Sequence, residues 1–411
     1  MLKVLNILKT TARGPQRRTF LSQAYYCNEV WNNRLNSTIL QKINHDELYY
    51  ELEQRFQKNG IISAVDVDIF ANSVKDDIYL DELMDLAHKL RLSADTSNTL
   101  ESTSHAVIRC LLNYDKKDEL LNALDDRLNY GLFLDNYTAN ILMDYFYKAK
   151  DFVSGSRVAS QLMLQEEMNH PLSSSLSIFH CYNFLLNPVG WPEMPKPEEP
   201  EEEVKVRVKY LRNPYDDNHF DLRDPIRIVG KTLMEATIEK NDDLEKSLYI
   251  LGISLFDPEQ AKNVVKGDEK IYKEILNLLP EDNEMKATLE KLTLIPGELK
   301  TLLESKVKSC ERDVGEKDVA VQCETYSKWE QNRLDALKRQ EERYNIANRI
   351  ENIETSQKNL KLREERLWFF ENEEQIELDI DAKKIYYPKR WFGKMKKPRT
   401  ADKAYVPPEI N

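Results

Sequence analysis

The sequence predicts an all-α protein built mainly from paired helices. Glycine is scarce, with 11 among 411 residues, and the alternation of apolar and polar residues that marks a half-buried strand is rare. Apolar residues instead recur at intervals of three and four, which places them on one face of a helix. No stretch of about 18 or more uncharged apolar residues occurs, so we expect no membrane-spanning helix.

The first 22 residues are predicted to be a mitochondrial presequence, followed by an N-terminal helical segment over residues 23–65. An amphipathic start that carries arginine and lacks acids is typical of import into mitochondria. Arg18-Thr19-Phe20, followed by Leu21-Ser22, resembles the cleavage site of a matrix protease. A basic N-terminus without a targeting role is the alternative. The cations before the first acid are Lys3, Lys9, Arg13, Arg17 and Arg18.

A unit of 35 residues repeats along the first half of the chain. Shifting Asn140 back by 35 residues gives His105, and a second shift gives Phe70, each within a helix–turn–helix pattern of apolar residues. One hairpin of this kind cannot bury its apolar face alone, so neighbouring hairpins must stack into a solenoid with a concave surface. The predicted repeats cover residues 66–100, 101–135 and 136–170, with a partial repeat at 171–186.

This period fits two repeat types, tetratricopeptide repeats that bind protein and pentatricopeptide repeats that bind single-stranded RNA. The third repeat resembles the start of a pentatricopeptide helix through Thr138, Asn140, Leu142 and Asp144. The Trp, Leu-Gly and Tyr pattern of tetratricopeptide repeats is absent. We therefore predict a pentatricopeptide-type solenoid of helical hairpins.

The pentatricopeptide resemblance implies two base-reading positions in each repeat. Only Asn140 and Asp135 are of the expected residue type, and they belong to different repeats, so we expect contact with RNA shape and phosphates more than reading of bases. Packing helices without an RNA contact are the alternative. The three pairs of positions are Phe70 with Leu100, His105 with Asp135, and Asn140 with His170. The RNA-binding candidates in the repeats are His105, Asn140, Lys148, Lys150 and Arg157.

A closer resemblance covers residues 110–152, with Tyr114-Asp115, Tyr130-Gly131, Asp135-Asn136 and Leu142-Met143-Asp144, and continues in residues 367–373. Both segments resemble the mitochondrial ribosomal small-subunit protein 27 family. The resemblance implies a structural role in the mitochondrial ribosome of the matrix. Its implied partners are the small-subunit rRNA and other mitochondrial ribosomal proteins, and its implied function is to support mitochondrial translation.

The second half of the chain is predicted to contain four further segments before the tail. Residues 187–223 form an acidic, Pro-rich linker, because such a composition cannot bury enough apolar surface. Helical pairs follow over residues 224–297, and a connecting segment over residues 298–325. Residues 326–374 lack Pro and Gly and predict one long helix. Its apolar heptad seam is interrupted by Gln357 and Glu364, which favours a helix against a partner surface or RNA over a long coiled coil; a short intramolecular coil is the alternative.

Residues 375–411 are predicted to be a basic aromatic tail that binds RNA. Cations hold phosphates while aromatic rings stack on bases, which gives a grip that tolerates any sequence. A solvated tail, or a segment that docks on an acidic protein, is the alternative. The candidate residues are Lys383, Lys384, Lys389, Arg390, Trp391, Lys394, Lys396, Lys397 and Arg399.

The inventory of catalytic motifs predicts that the chain is not an enzyme and has no cofactor, metal site or small-molecule substrate. The six histidines and five cysteines are scattered, so no zinc pattern forms. Gly230-Lys231-Thr232 imitates a phosphate-binding loop, but Pro225 occupies the position of the first glycine that such a loop needs. A helical-repeat adaptor that binds protein, and a free mitochondrial factor that processes or stabilises RNA, are the competing functions.

Overall fold

The computed structural model describes residues 19–192, 217–238, 242–265, 269–280, 283 and 285–383. Most of the predicted presequence, linker and basic tail lies outside these residues. The described residues form sixteen α-helices and one pair of three-residue parallel strands, Lys270–Tyr272 and Thr293–Ile295. The prediction of an all-α solenoid with a long C-terminal helix is therefore confirmed.

The N-terminal segment contains short 3-10 turns and two α-helices, and seven helices follow as the repeat hairpins. The first two are α1 (Asn28–Asn33) and α2 (His45–Asn59). The hairpin helices are α3 (Ala64–Ser73), α4 (Leu80–Leu92), α5 (Glu101–Asn113), α6 (Lys117–Asp125), α7 (Asn136–Ala149), α8 (Phe152–Leu164) and α9 (Pro171–Leu186). The remaining helices are α10 (Pro225–Thr237), α11 (Asp243–Phe256), α12 (Pro258–Val264), α13 (Glu274–Leu278), α14 (Lys286–Leu289), α15 (Leu299–Glu371) and α16 (Glu373–Ala382).

The first helices of successive hairpins begin at regular intervals. Helices α5, α7 and α9 start at residues 101, 136 and 171, which are 35 residues apart. The residue before two of these starts caps the helix: the Asp135 side chain accepts from the Thr138 N–H, and the His170 ring accepts from the Ser173 N–H. Such caps satisfy a backbone donor that the helix itself leaves free.

Helices α10 and α11 pack closely because each contributes a glycine to the contact. A Cβ atom on Gly230 would lie 2.9 Å from the Gly252 carbonyl oxygen, and one on Gly252 would lie 2.7 Å from the Gly230 carbonyl oxygen. The glycine before Lys231 therefore serves helix packing. Lys231 is buried in α10 and its ammonium donates to the Asn218 carbonyl at 2.9 Å, so this lysine makes a contact within the fold.

The chain divides into two compact units, residues 1–337 and residues 338–411. The first unit holds the main apolar core, which includes the hairpins, α10, α11 and the start of α15. In the second unit, none of the described residues is buried.

Two expected boundaries differ from the structure. The long helix begins at Leu299 rather than at residue 326, so residues 298–325 are not a connecting segment. A helix tolerates Gly315 at a cost of about 1 kcal/mol, and Leu299, Leu303 and Val307 offset this cost because they are buried in the core. The expected end of the presequence at residue 22 also conflicts with the structure, because Phe20 and Leu21 are core residues.

Candidate nucleic-acid interface

Three of the predicted base-reading residues, His105, Asn140 and His170, lie on one face of the hairpins, near the starts of α5, α7 and α9. In α3 this face carries Asp68, which was not predicted, whereas the predicted Phe70 packs against His45. We call this the reading face and define it by Asp68, His105, Asn140 and His170. Its polar side chains bond to two other parts of the same unit, residues 20–36 and residues 318–333 of α15. We call these two stretches the closing segments.

Asn140 is fully buried and its amide is used inside the protein. The Asn140 Nδ2 donates to the Tyr25 hydroxyl at 2.9 Å. That hydroxyl in turn donates to Asp318 Oδ2 at 3.0 Å. Burial, with the nearby Asp318 carboxylate, raises the pKa of Tyr25, which therefore stays neutral. The amide that a pentatricopeptide repeat would offer to a base is buried, with its Nδ2 bonded to the chain itself and its Oδ1 without a hydrogen-bond partner.

His105 is enclosed by aromatic rings from both closing segments. Its Nδ1 lies 2.9 Å from the Thr138 hydroxyl and its Nε2 lies 3.1 Å from the Tyr326 hydroxyl. The ring centroids of Trp31 and Trp329 lie 4.9 and 5.0 Å from that of His105. Burial, with the cations Arg109 and Arg34 nearby, holds the pKa of His105 well below its usual value. The neutral imidazole is thus a packing residue that RNA cannot reach in this conformation.

The other reading positions also serve the fold. The His170 ring caps α9 and places its Nε2 3.2 Å from Asp318 Oδ1. Asp135 caps α7, and its burial raises the pKa of its carboxyl. Phe70 has no exposed surface, and Leu100 is the N-cap residue of α5. No predicted pair therefore presents two side chains that could read a base.

A buried ion pair that was not predicted lies at the centre of the reading face. The Arg333 Nε donates to Asp68 Oδ2 at 2.6 Å, and Asp68 is fully buried. The hydroxyls of Ser102 and Thr103 also donate to this carboxylate. An acid inside the apolar stretch of α3 does indicate a buried polar contact, because a buried charge needs a partner. The partner lies 265 residues away in sequence, so the local pattern could not name it.

A second buried carboxylate, Asp144, gathers donors from the N-terminus. Its Oδ1 accepts from the Phe20 N–H at 2.9 Å and from the Leu21 N–H at 3.2 Å. Its Oδ2 accepts from the Tyr26 hydroxyl and lies 2.8 Å from the Lys148 ammonium. The residues that made α7 resemble an RNA-binding helix therefore fix the N-terminal segment in place.

The cations predicted to bind RNA fall into two groups in the structure. Lys148 is held by Asp144, and the Arg157 Nε donates to Asp125 at 3.1 Å, so these two are internal contacts. Lys150, at the C-terminal end of α7, and Lys383, at the end of α16, are exposed. The candidates outside the described residues are Lys384, Lys389, Arg390, Trp391, Lys394, Lys396, Lys397 and Arg399.

One cleft beside the reading face has a volume of about 480 Å³ and reaches His105. Acidic residues dominate its charged lining, with Glu101, Asp135 and Glu167 against Arg91. An RNA backbone is attracted by cations and repelled by carboxylates. The cleft is therefore a poor phosphate site, and it does not restore RNA access to the reading face.

The second unit exposes an apolar stripe on its helix. We call it the distal seam and define it by Ile346, Ile350, Ile353, Leu360 and Leu367 of α15, which are each between 52 and 64 % exposed. The adjacent Trp368, Phe369 and Phe370 are also exposed. Large apolar side chains exposed along one helix face suit an interaction site, and Gln357 and Glu364 divide this stripe.

Within the described ranges, His, Cys, Asp and Glu side chains form no group of three or more that could hold a metal ion. No helix among the same residues is long and apolar enough to cross a membrane.

One comparison with known proteins bears on identity. A family described as mitochondrial 28S ribosomal protein S27 matches residues 2–359. The matched range includes every hairpin, both closing segments, and the distal seam as far as Ile353.

Proposed function

The chain belongs to the mitochondrial 28S ribosomal protein S27 family, and from this premise we propose its function. Membership makes it a component of the small subunit of the mitochondrial ribosome, in the matrix. We propose that it is a non-catalytic scaffold that binds rRNA without reading its sequence and so supports mitochondrial translation. Membership of this family implies association with other ribosomal proteins and with rRNA.

The closed reading face is the observation that carries this proposal. A pentatricopeptide protein that selects transcripts needs its reading positions open to bases. Here Asn140, His105 and Asp68 are buried and bonded to residues of the same chain. A solenoid closed in this way offers RNA and protein partners its outer surface and its ends, which suits a scaffold.

We propose that the rRNA contact comes mainly from the basic tail, including Lys383, with Lys150 as a further phosphate contact. The tail from residue 383 onward combines cations with Trp391 and other aromatic residues. Such segments bind folded RNA through phosphates and stacking, without a preference for sequence.

Sedimentation of mitochondrial lysates tests this proposal. A chain that ends at residue 382 should leave the small subunit at a lower salt concentration than the full chain, because it lacks the tail cations. A chain that ends at residue 404 is the matched control, because it keeps those cations and loses only the last seven residues. Equal retention of all three chains on the subunit would refute the role of the tail.

The distal seam favours a second candidate function, that of an adaptor for another protein. Its apolar residues suit a partner helix, and Glu364, which interrupts the seam, suits a Lys or Arg on that partner. RNase treatment separates the two functions. A chain that stays in a light protein complex after RNase digestion acts through protein contacts, whereas a chain that is released as a free protein depended on rRNA.

A further inference from the structure

Phe20 is the first residue of the chain that is built into the core. Its side chain is 5 % exposed. Its ring stacks on Tyr147 with a centroid distance of 4.1 Å and meets the edge of Phe179 at 5.0 Å. Thr19, immediately before it, is exposed. The border between solvent and core therefore falls at the Thr19–Phe20 peptide bond.

The backbone nitrogen of Phe20 faces a buried negative charge. It lies 2.9 Å from Asp144 Oδ1, and Asp144 has no exposed surface. The Leu21 N–H adds a second donor to the same oxygen at 3.2 Å. Removal of Phe20 would take away one of these donors and would empty the space between Tyr147 and Phe179.

The sequence around this bond allows three positions for a presequence protease. Such proteases of the matrix commonly cut with an arginine two or three residues before the bond. Arg17 stands two residues before the Arg18–Thr19 bond, and Arg18 stands two residues before the Thr19–Phe20 bond and three before the Phe20–Leu21 bond. Because presequences are removed while the chain is still unfolded, the folded structure does not limit access to any of these bonds. It does determine which product can complete the fold. A cut after Phe20 removes a core residue, and only the cut after Thr19 both keeps Phe20 and places the new amino group beside Asp144.

We propose that the presequence is removed by hydrolysis of the Thr19–Phe20 bond, and that the new α-ammonium of Phe20 pairs with the buried carboxylate of Asp144. Water adds across the amide: the Thr19 carboxylate leaves with the presequence, and the Phe20 nitrogen becomes an ammonium. The nitrogen keeps its place beside Asp144, and its hydrogen bond gains a full charge, which strengthens it. Maturation thus adds one ion pair that the precursor lacks. The proposal rests on the matrix location of the family and is independent of rRNA binding.

The N-terminus of the protein in intact small subunits tests the cleavage site. Labelling of α-amino groups followed by mass spectrometry should identify Phe20 as the first residue. A first residue at Leu21 or later would overturn the proposal, because the core would then lack Phe20. A first residue at Thr19 or earlier would also overturn it, because no ammonium would then stand beside Asp144.

Recombinant chains test the ion pair itself. Chains that begin at Phe20 and at Thr19 are released from a removable N-terminal fusion, each with and without Asp144→Asn. The chain that begins at Phe20 has its α-ammonium on the Phe20 nitrogen, whereas the chain that begins at Thr19 has an amide there and its α-ammonium one residue earlier. The loss of melting temperature caused by Asp144→Asn should be larger in the chain that begins at Phe20. An equal loss in both would overturn the pairing. A chain that begins at Leu21 should melt about 5 °C or more below the chain that begins at Phe20, as expected for the loss of a buried Phe side chain.

Discussion

The reading face and the distal seam use the same helical periodicity with opposite results. On the reading face, polar residues such as Asp68 and Asn140 are fully buried. On the distal seam, apolar residues such as Ile353 and Leu360 are more than half exposed. Apolar residues are normally buried and polar residues exposed, and each of these regions shows the opposite. Buried polar groups need bonding partners, and exposed apolar side chains need a surface that covers them.

The difference lies in where the partner comes from. The reading face finds its partners within the chain, because Tyr25, Tyr326 and Arg333 meet its polar groups. The distal seam lies in the second unit, and none of the described residues of that unit is buried. Changes on the reading face should therefore alter the stability of the protein, whereas changes on the seam should alter its associations.

The largest effect is expected from Arg333→Met. This substitution leaves the Asp68 carboxylate buried without its cation, which should lower the free energy of unfolding by about 3–5 kcal/mol. Urea denaturation of the full chain measures it. Arg343→Met is the matched control, because Arg343 is exposed on the same helix and should change stability little. A loss below about 1 kcal/mol for Arg333→Met would mean that α15 does not close the reading face.

Acidification should weaken the first unit and spare the helix of the second, which has no histidine among residues 338–411. Burial lowers the pKa of His180 from 6.5 to about 4. Between these values the unfolded chain binds more protons, so stability falls as the pH decreases. From pH 7 to pH 5 the contribution of His180 is about 2 kcal/mol.

Urea denaturation of the wild type and of His180→Gln at both pH values isolates this contribution. The wild type should lose more stability on acidification than the variant. His88→Gln, at a partly exposed position, should retain the acid sensitivity of the wild type. If His180→Gln loses as much stability as the wild type, then burial does not hold the pKa of this imidazole below its usual value.

The next effect separates packing from RNA reading at Asn140. Asn140→Ala removes the hydrogen bond to Tyr25 and should lower the free energy of unfolding by about 1 kcal/mol. The fraction of folded protein that binds the small subunit should not change. Asn122→Ala, at an exposed site on α6, is the control for both measurements. Unchanged stability together with weaker binding to the subunit would identify Asn140 as an RNA contact after all.

The sequence predicted the parts of the fold that depend on local pattern. A 35-residue shift of apolar residues was enough to place α5, α7 and α9, whose starts follow that spacing. The long helix was also evident, although its start was predicted at residue 326 and lies at Leu299. Burial of Leu299 and Leu303 stabilises that early part of the helix, and such a tertiary contact leaves no mark on the local sequence.

The closing of the reading face could not be predicted for the same reason. The contact of His105 with Tyr326 joins residues 221 apart in sequence. An analogy with pentatricopeptide repeats assumes an open face, and no motif around Tyr326 or Arg333 indicates that α15 covers it. One clue was available: Asp68 and Asp144 are acids within apolar helices, and buried acids require partners.

The smallest change in stability is expected on the distal seam. Ile353→Ser together with Leu360→Ser should alter the free energy of unfolding by less than about 0.5 kcal/mol, because both side chains are exposed. Retention in a light protein complex after RNase digestion should nevertheless fall, since a partner helix would lose two apolar contacts. Asn359→Ser, outside the seam on the same helix, is the control and should leave association unchanged. If the double variant binds as well as the control, the seam has no protein partner there; if it unfolds more easily, the seam is packed against this chain, and the contrast with the reading face disappears.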